Sequence, residues 1–257
     1  PIDEYIDFDN HPYFGMTFQK SVGYWLGKHY GLSKATGAPK FVTLYNREIF
    51  SRDGLPDLHQ FVNEGKWNWE TLVDVAVRAT KDFNGDGIID QWGLVAGKNR
   101  LGQILLLSNG QQYFKEINGK YQFSLSDQPA IRALQLYSDL YNVYNVVPVD
   151  YQGDNETMNA SFLAEKVAMC FWEPATLYSQ CKTKGLADVG MVPLPMGPDV
   201  NEYCSKELQT GLFTFPINVP DISNVVKIMS YYIYDVDNPY NLPTDNDYEG
   251  RIVETAY

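Results

Sequence analysis

Oxygen-bearing side chains alternate from Asp82 through Asn84 to Asp86 and return at Asp90 and Gln91, in the stretch DFNGDGIIDQ. Alternate side chains converge on one point if the backbone curls around it, and Gly87 supplies the turn that such a curl requires. The backbone carbonyl of Ile88, then Asp90 and Gln91, would close the shell. Every donor is oxygen, which selects a hard cation. Three carboxylates with several neutral oxygens suit calcium better than magnesium, which keeps several waters. The spacing follows the first half of an EF-hand loop but departs at the twelfth position, where Gly93 replaces the bidentate glutamate. The pattern predicts a structural calcium site outside the EF-hand fold, built from Asp82, Asn84, Asp86, Ile88, Asp90 and Gln91. The competing reading is an Asp/Asn/Gly turn whose side chains serve only the backbone.

Other chemistry is sparse. No GxSxG, HExxH or phosphate-loop motif occurs, and there are only three histidines. Among 32 acidic residues a glycosidase-like pair is not excluded by counting, and Glu173, at a predicted strand end, is the carboxylate that stands out. Cys170, Cys181 and Cys204 form no CxxC pattern; Cys170 reads as buried packing, and Cys181 with Cys204 as a pair only an oxidising compartment would join. A formal charge of −12 with scattered Lys and Arg excludes nucleic acid and anionic membrane as expected partners. No apolar run approaches the roughly 20 residues of a membrane span. The 19 tyrosines and 5 tryptophans fit either a Tyr-rich core and surface or a carbohydrate site, where sugar CH faces stack on rings.

The acidic loop needs elements on both sides to hold it. Before it, Trp67-Asn68-Trp69-Glu70 reads as a helix start with Asn68 as N-cap, and Leu72, Val73, Ala76, Ala79 and Thr80 share one face. After it, Trp92 to Ala96 reads as a strand and Gln103 to Leu107 as a buried helix. Further strands are expected at 40–45, 167–172, 188–192 and 211–217, and a hairpin at 113–123 turning on Asn118-Gly119. Helices are expected at 155–163, 175–181 and 223–234, and one behind Asp127 that buries Ala130, Leu134, Tyr137 and Tyr141, widened by Ala133, Leu136 and Leu140. Alternating helices and strands indicate an α/β architecture.

Several of these pieces carry a resemblance. They are Phe41 to Asn46 followed by Glu48-Ile-Phe; Gly65 to Glu70; Asp82 to Gly93; Asn118 to Tyr121; Phe162 to Met169; and Val189 to Pro195 with Gly197-Pro198. In this order the chain resembles the extracellular solute-binding proteins of bacterial ABC importers, the group related to maltose- and oligosaccharide-binding proteins. The acidic loop is similar to the calcium site of alginate-binding members.

The resemblance implies a two-lobe periplasmic-binding-protein-like α/β fold whose lobes close over a ligand. Residues 41–210 would be the second lobe, nearly complete. Residues 1–38 and 212–257 would be pieces of the first, with hinges near Pro39-Lys40 and Gly211. Because family members are much longer, the chain is expected to be a segment of a larger protein. The implied function is capture of an oligosaccharide or related solute, without catalysis, for delivery to an ABC permease. The implied setting is extracytoplasmic, periplasmic or lipid-anchored, with the protein acting as a monomer. Candidate ligand contacts on the family pattern are Lys40 at the first hinge, Asn99 and Arg100 before the Gln103 helix, and Trp172 and Glu173 behind the Lys-Val-Ala-Met strand. Trp172 reads equally as core. A carbohydrate-active enzyme using Glu173 and a calcium-stabilised adhesion module are the alternatives.

Overall fold

The structure is a computed structural model that describes residues 1–34, 41–149, 155–172, 188–204 and 211–234. The chain divides into two compact units, Pro1–Ala38 with Glu207–Tyr257, and Pro39–Lys206.

The smaller unit begins with turns that lead into a short helix α1 (Thr17–Ser21), the two-residue strands β1 (Tyr24–Trp25) and β2 (Lys28–His29), and β3 (Gly31–Leu32). The larger unit runs from β4 (Val42–Asn46) through α2 (Arg47–Arg52), α3 (Leu58–Asn63), α4 (Trp69–Ala79), β5 (Trp92–Val95) and α5 (Lys98–Ser108). It continues with β6 (Phe114–Ile117), β7 (Lys120–Phe123), α6 (Gln128–Asn142), α7 (Asn155–Leu163), β8 (Val167–Trp172) and β9 (Val189–Val192). The chain then returns to the smaller unit with β10 (Phe213–Thr214) and α8 (Ile222–Ile233).

The larger unit is organised on a mixed sheet of order β5-β8-β4-β9. β5 runs parallel to β8, and β4 is antiparallel to both β8 and β9. Its central strands, VTLYN and VAMCFW, are buried at every position, as central strands are when helices cover both faces. Phe41, Tyr45, Leu94, Met169 and Phe171 join one cluster with α4, α5 and α6. Val42, Leu44, Val95, Cys170 and Trp172 join another with Met158 and Phe162 of α7. Two glycines permit close approaches. A Cβ on Gly190 would stand 2.2 Å from the Tyr45 ring, which lies across its cross-strand partner. One on Gly93 would stand 2.0 Å from the Ala76 carbonyl oxygen, so α4 rests on β5 backbone to backbone.

α6 departs from the expected face. Ala130, Ala133 and Leu140 are buried, whereas Leu134 is 43% exposed. The small alanines let α6 approach α5, where Gly102 faces the Tyr137 ring, and this contact turns Leu134 outward. The hairpin forms as expected, with Asn118 and Gly119 both at positive φ. In the smaller unit, Ile2, Phe8, Tyr13, Phe14, Leu32, Val226 and Ile233 form a core. The strand expected at 211–217 is confined to Phe213–Thr214, paired with β3.

Candidate functional site

The acidic loop is a closed excursion. α4 begins with a reciprocal cap: Asn68 Oδ1 accepts from the Thr71 amide at 3.1 Å, and Thr71 Oγ1 accepts from the Asn68 amide at 2.9 Å. Trp67 and Trp69 anchor that start by donating their indole N–H groups to the Pro193 carbonyl and to Ser108 Oγ. α4 ends at Thr80, whose hydroxyl donates to the Ala76 carbonyl and accepts from the Gly93 amide. Between these points Lys81 and Gln91 pair through backbone hydrogen bonds of 2.8 and 3.0 Å, forming a stem under residues 82–90.

Inside the loop the predicted donors face its own backbone. Asp82 accepts from the Gly85 amide at 2.7 Å and from the Gly87 amide at 2.8 Å, one on each oxygen. Asn84 Oδ1 accepts from the Asp86 amide, Asp86 Oδ1 from the Ile88 amide, and Asp90 Oδ2 from the Phe83 amide. Gly85 and Gly87, at φ of 76° and 85°, make this curl possible. The Asp82 carboxyl is held below the usual carboxylate range, first by the Gly87 N–H, against some desolvation, and further by Gly85.

The test for a cation gives a divided result. The donor set is all oxygen, and an ionised carboxylate that accepts one N–H on an oxygen retains lone pairs for a metal. Yet among the described residues no three Asp, Glu, His or Cys side chains gather closely enough to hold an ion. Gln91 leaves the expected set. Its side chain is buried away from the loop, donating to Asp53 Oδ2 and the Ala79 carbonyl at 2.7 Å each and accepting from Arg52. A neutral amide that donates twice and accepts once here has satisfied its bonding where it stands. Arg52 also lies 5.7 Å from the Phe83 ring centroid, a second tie from α2 to the loop. Nothing in the sequence spacing singled out Arg52 or Asp53, because their link to Gln91 spans 38 residues or more.

The expected solute contacts are only partly gathered. Lys40 and Glu173 lie outside the described residues, as does Cys181, and for Asn99 only the backbone is described. Arg100 and Trp172 do come together. The guanidinium sits 6.0 Å from the Trp172 ring centroid and 5.7 Å from that of Phe41, at the sheet end where β4 begins and β8 finishes. Phe41 was not anticipated; it arrives because Val42 pairs with Trp172 across the β4–β8 ladder. Of the two readings of Trp172, its 5% exposure favours core over an open stacking platform. Its buried indole Nε1–H finds no hydrogen-bond acceptor among the described residues.

The sequence profile of a family described as bacterial extracellular solute-binding protein matches residues 1–221. The structure is similar to a maltose/maltodextrin-binding domain from Bdellovibrio bacteriovorus bound to maltotriose, at a TM-score of 0.65 and 19% identity, covering 100% of this chain and 64% of that one. It is also similar to the GacH receptor of Streptomyces glaucescens, solved unliganded and with acarbose, at 0.56 and 19% identity, over 77% of this chain and 47% of the other. A third likeness is to an ABC substrate-binding protein from Listeria monocytogenes in complex with cycloalternan, at 0.55 and 17% identity, over 76% of this chain and 47% of that chain. At such identities the likeness is one of fold. The chain spans 64% of the length of the Bdellovibrio protein. No curated protein sequence matches significantly.

Proposed function

The chain belongs to the bacterial extracellular solute-binding proteins, a family of extracytoplasmic binding proteins and not of enzymes, and on that premise we propose that it captures an oligosaccharide for an ABC-type importer. The profile match over residues 1–221 carries the reading. Three proteins of the same fold, with maltotriose, acarbose and cycloalternan as their ligands, support a sugar as the solute. Arg100, beside Phe41 and Trp172, places a guanidinium, a donor type suited to sugar hydroxyls, at one end of the sheet. Binding free energy would select a closed arrangement of two lobes, residues 41–210 forming one and residues 1–38 with 212–257 contributing to the other. The loaded monomer would then meet a membrane permease.

The acidic loop has a supporting role in this proposal. Calcium would be held by Asp82, Asn84, Asp86, Asp90 and the Ile88 carbonyl, without Gln91. The ion would brace the turn between α4 and β5 and take no part in solute capture.

Titration calorimetry of the intact protein against a panel of linear and cyclic oligosaccharides tests the function. Tight, saturable binding with the sugar recovered unchanged is the expected result. Turnover of the sugar, or no heat with any member, overturns it. Calcium is tested separately by melting in chelator and in excess calcium. At free calcium 100-fold above its dissociation constant the fold should gain about 2.7 kcal/mol, and coincident transitions would remove the ion from the proposal.

A further inference from the structure

Asparagine followed by glycine occurs three times, at Asn84-Gly85, Asn109-Gly110 and Asn118-Gly119. This dipeptide carries a built-in reaction. The backbone nitrogen of the glycine can attack the carbonyl carbon of the asparagine side chain, because no Cβ on the glycine obstructs the approach. The reaction needs a side-chain amide free to swing toward that nitrogen, a nitrogen able to give up its proton, and water. The three sites differ in all of these.

Asn109 is locked. It is fully buried, donates to the Pro129 carbonyl at 3.0 Å and to Asp199 Oδ2 at 2.7 Å, and accepts from the Asp199 amide at 2.9 Å. The Gly110 amide donates to the Leu107 carbonyl at 2.9 Å. Asn84 is exposed but engaged at both ends. Its Oδ1 accepts from the Asp86 amide at 2.9 Å, and its Nδ2 donates to Asp86 Oδ2 at 3.1 Å. The Gly85 amide donates to Asp82 Oδ1 at 2.7 Å, so removing its proton would set a negative nitrogen against a carboxylate. Asn118 has none of these restraints. It is exposed at the tip of the β6–β7 hairpin, and among the described residues no hydrogen bond engages its side chain or the Gly119 amide. A Cβ would meet nothing within 4 Å at either Gly85 or Gly119, so bonding and not space separates these two sites.

We propose that Asn118 is a site of spontaneous covalent modification, converted to aspartate and isoaspartate by attack of the Gly119 nitrogen, while the fold protects the same dipeptide at 84–85 and 109–110.

The step balances with water alone. The Gly119 nitrogen bonds to Asn118 Cγ and loses its proton, the Cγ–Nδ2 bond breaks, and Nδ2 leaves as ammonia with a proton gained. The resulting five-membered imide then adds water at one of its two carbonyls. Opening one way gives aspartate; opening the other way gives isoaspartate, with the main chain routed through the side-chain carbon. The hairpin is sensitive to that extra carbon. All eight residues of β6 and β7 are exposed, so the two-residue turn and the cross-strand pairs must hold it. Asn118 and Gly119 both stand at positive φ, and a lengthened main chain no longer fits a turn of this kind. The far end keeps its own ties, the Phe114–Phe123 ring contact and the Lys115–Asp127 pair. The change therefore loosens the tip and leaves the base in place.

Peptide mapping by mass spectrometry, after incubation of the intact protein in warm, mildly alkaline buffer, reads all three sites at once. The peptide holding Asn118 should gain the mass of an amide-to-acid exchange and separate into two forms, one of them a substrate for an isoaspartyl methyltransferase. The peptides holding Asn84 and Asn109 should lag by at least about tenfold, since their hydrogen bonds must break first. In concentrated urea only the local sequence is left, and the three rates should draw together. Asp82→Ala removes the carboxylate from the Gly85 amide and should bring Asn84 toward the Asn118 rate. Conversion of Asn84 or Asn109 as fast as Asn118 in the folded protein, an Asn118 that converts in urea but not when folded, or an Asn84 rate unmoved by Asp82→Ala overturns the proposal.

Discussion

Gly93 provides the sharpest test of how the acidic loop is seated. It occupies the position at which an EF-hand loop would place its bidentate glutamate. The structure gives a reason for the glycine that has nothing to do with metal. A Cβ there would lie 2.0 Å from the Ala76 carbonyl oxygen, 2.6 Å from its carbon and 2.8 Å from the Ala76 Cα. Ordinary contact begins near 3.4 Å, so alanine requires α4 and β5 to separate by about 1.4 Å. All three obstacles are backbone atoms, so no side-chain rotation relieves them. The helix that must move carries Leu72, Val75, Ala76 and Ala79, all fully buried. Overpacking of this kind costs about 1–3 kcal/mol. Displacing Ala76 also weakens the Thr80 bridge between its carbonyl and the Gly93 amide, worth about 1 kcal/mol more. Gly93→Ala is therefore expected to lose about 2–4 kcal/mol in urea denaturation followed by tryptophan fluorescence. Gly54→Ala is the control: its φ is +63° with nothing within 4 Å, so only the backbone term of about 1 kcal/mol applies. Equal losses in the two variants, or a Gly93→Ala loss below about 1 kcal/mol, would refute the close helix–strand packing. On the same grounds Gly93→Glu completes an EF-hand signature on paper, yet is expected to destabilise the fold without tightening calcium binding.

Three further outcomes follow from the geometry. Asn109 is fully buried; its side chain donates to the Pro129 carbonyl and Asp199 and accepts from the Asp199 amide. Asn109→Ala strands these partners and should cost about 2–3 kcal/mol by chemical denaturation, while Arg132→Ala, which removes only the exposed, solvent-screened partner of Asp199, should cost clearly less in the same assay. Removing the α4 cap with Asn68→Ala should lower stability by about 1 kcal/mol, and Asn68→Asp should recover most of it in the same assay. Asp82 governs acid sensitivity: its folded carboxyl is depressed, so its contribution is full above the unfolded-chain value of about 3.9 and is lost as pH falls through the lower folded value. Melting below pH about 4 should therefore be less steep in Asp82→Asn than in the unaltered protein, and parallel curves would contradict the assignment.

Local signals in the sequence held wherever the physics is local. The Asn68 cap, the Asn118-Gly119 turn and the α4 stripe Leu72, Ala76 and Ala79 depend on neighbours within a few residues, and each forms as the residues dictate. The α6 face was misread at Leu134 because periodicity defines a stripe but not which edge of it meets a neighbour. That choice belonged to Gly102 and the alanines. In the candidate site, the alternation of Asp82, Asn84 and Asp86 was legible and its backbone bonding follows from it.

What the sequence determined by itself is therefore the curl of the acidic loop, the α/β alternation and the ordered motifs that place the chain in its family. Each is encoded in contiguous or evenly spaced residues. The tertiary structure decided where those pieces meet. It drew Gln91 out of the loop to Asp53 and Arg52 and set Arg100 beside Phe41 and Trp172. A buried polar atom is settled by whichever partner the fold brings within hydrogen-bonding reach, and that partner can lie anywhere along the chain.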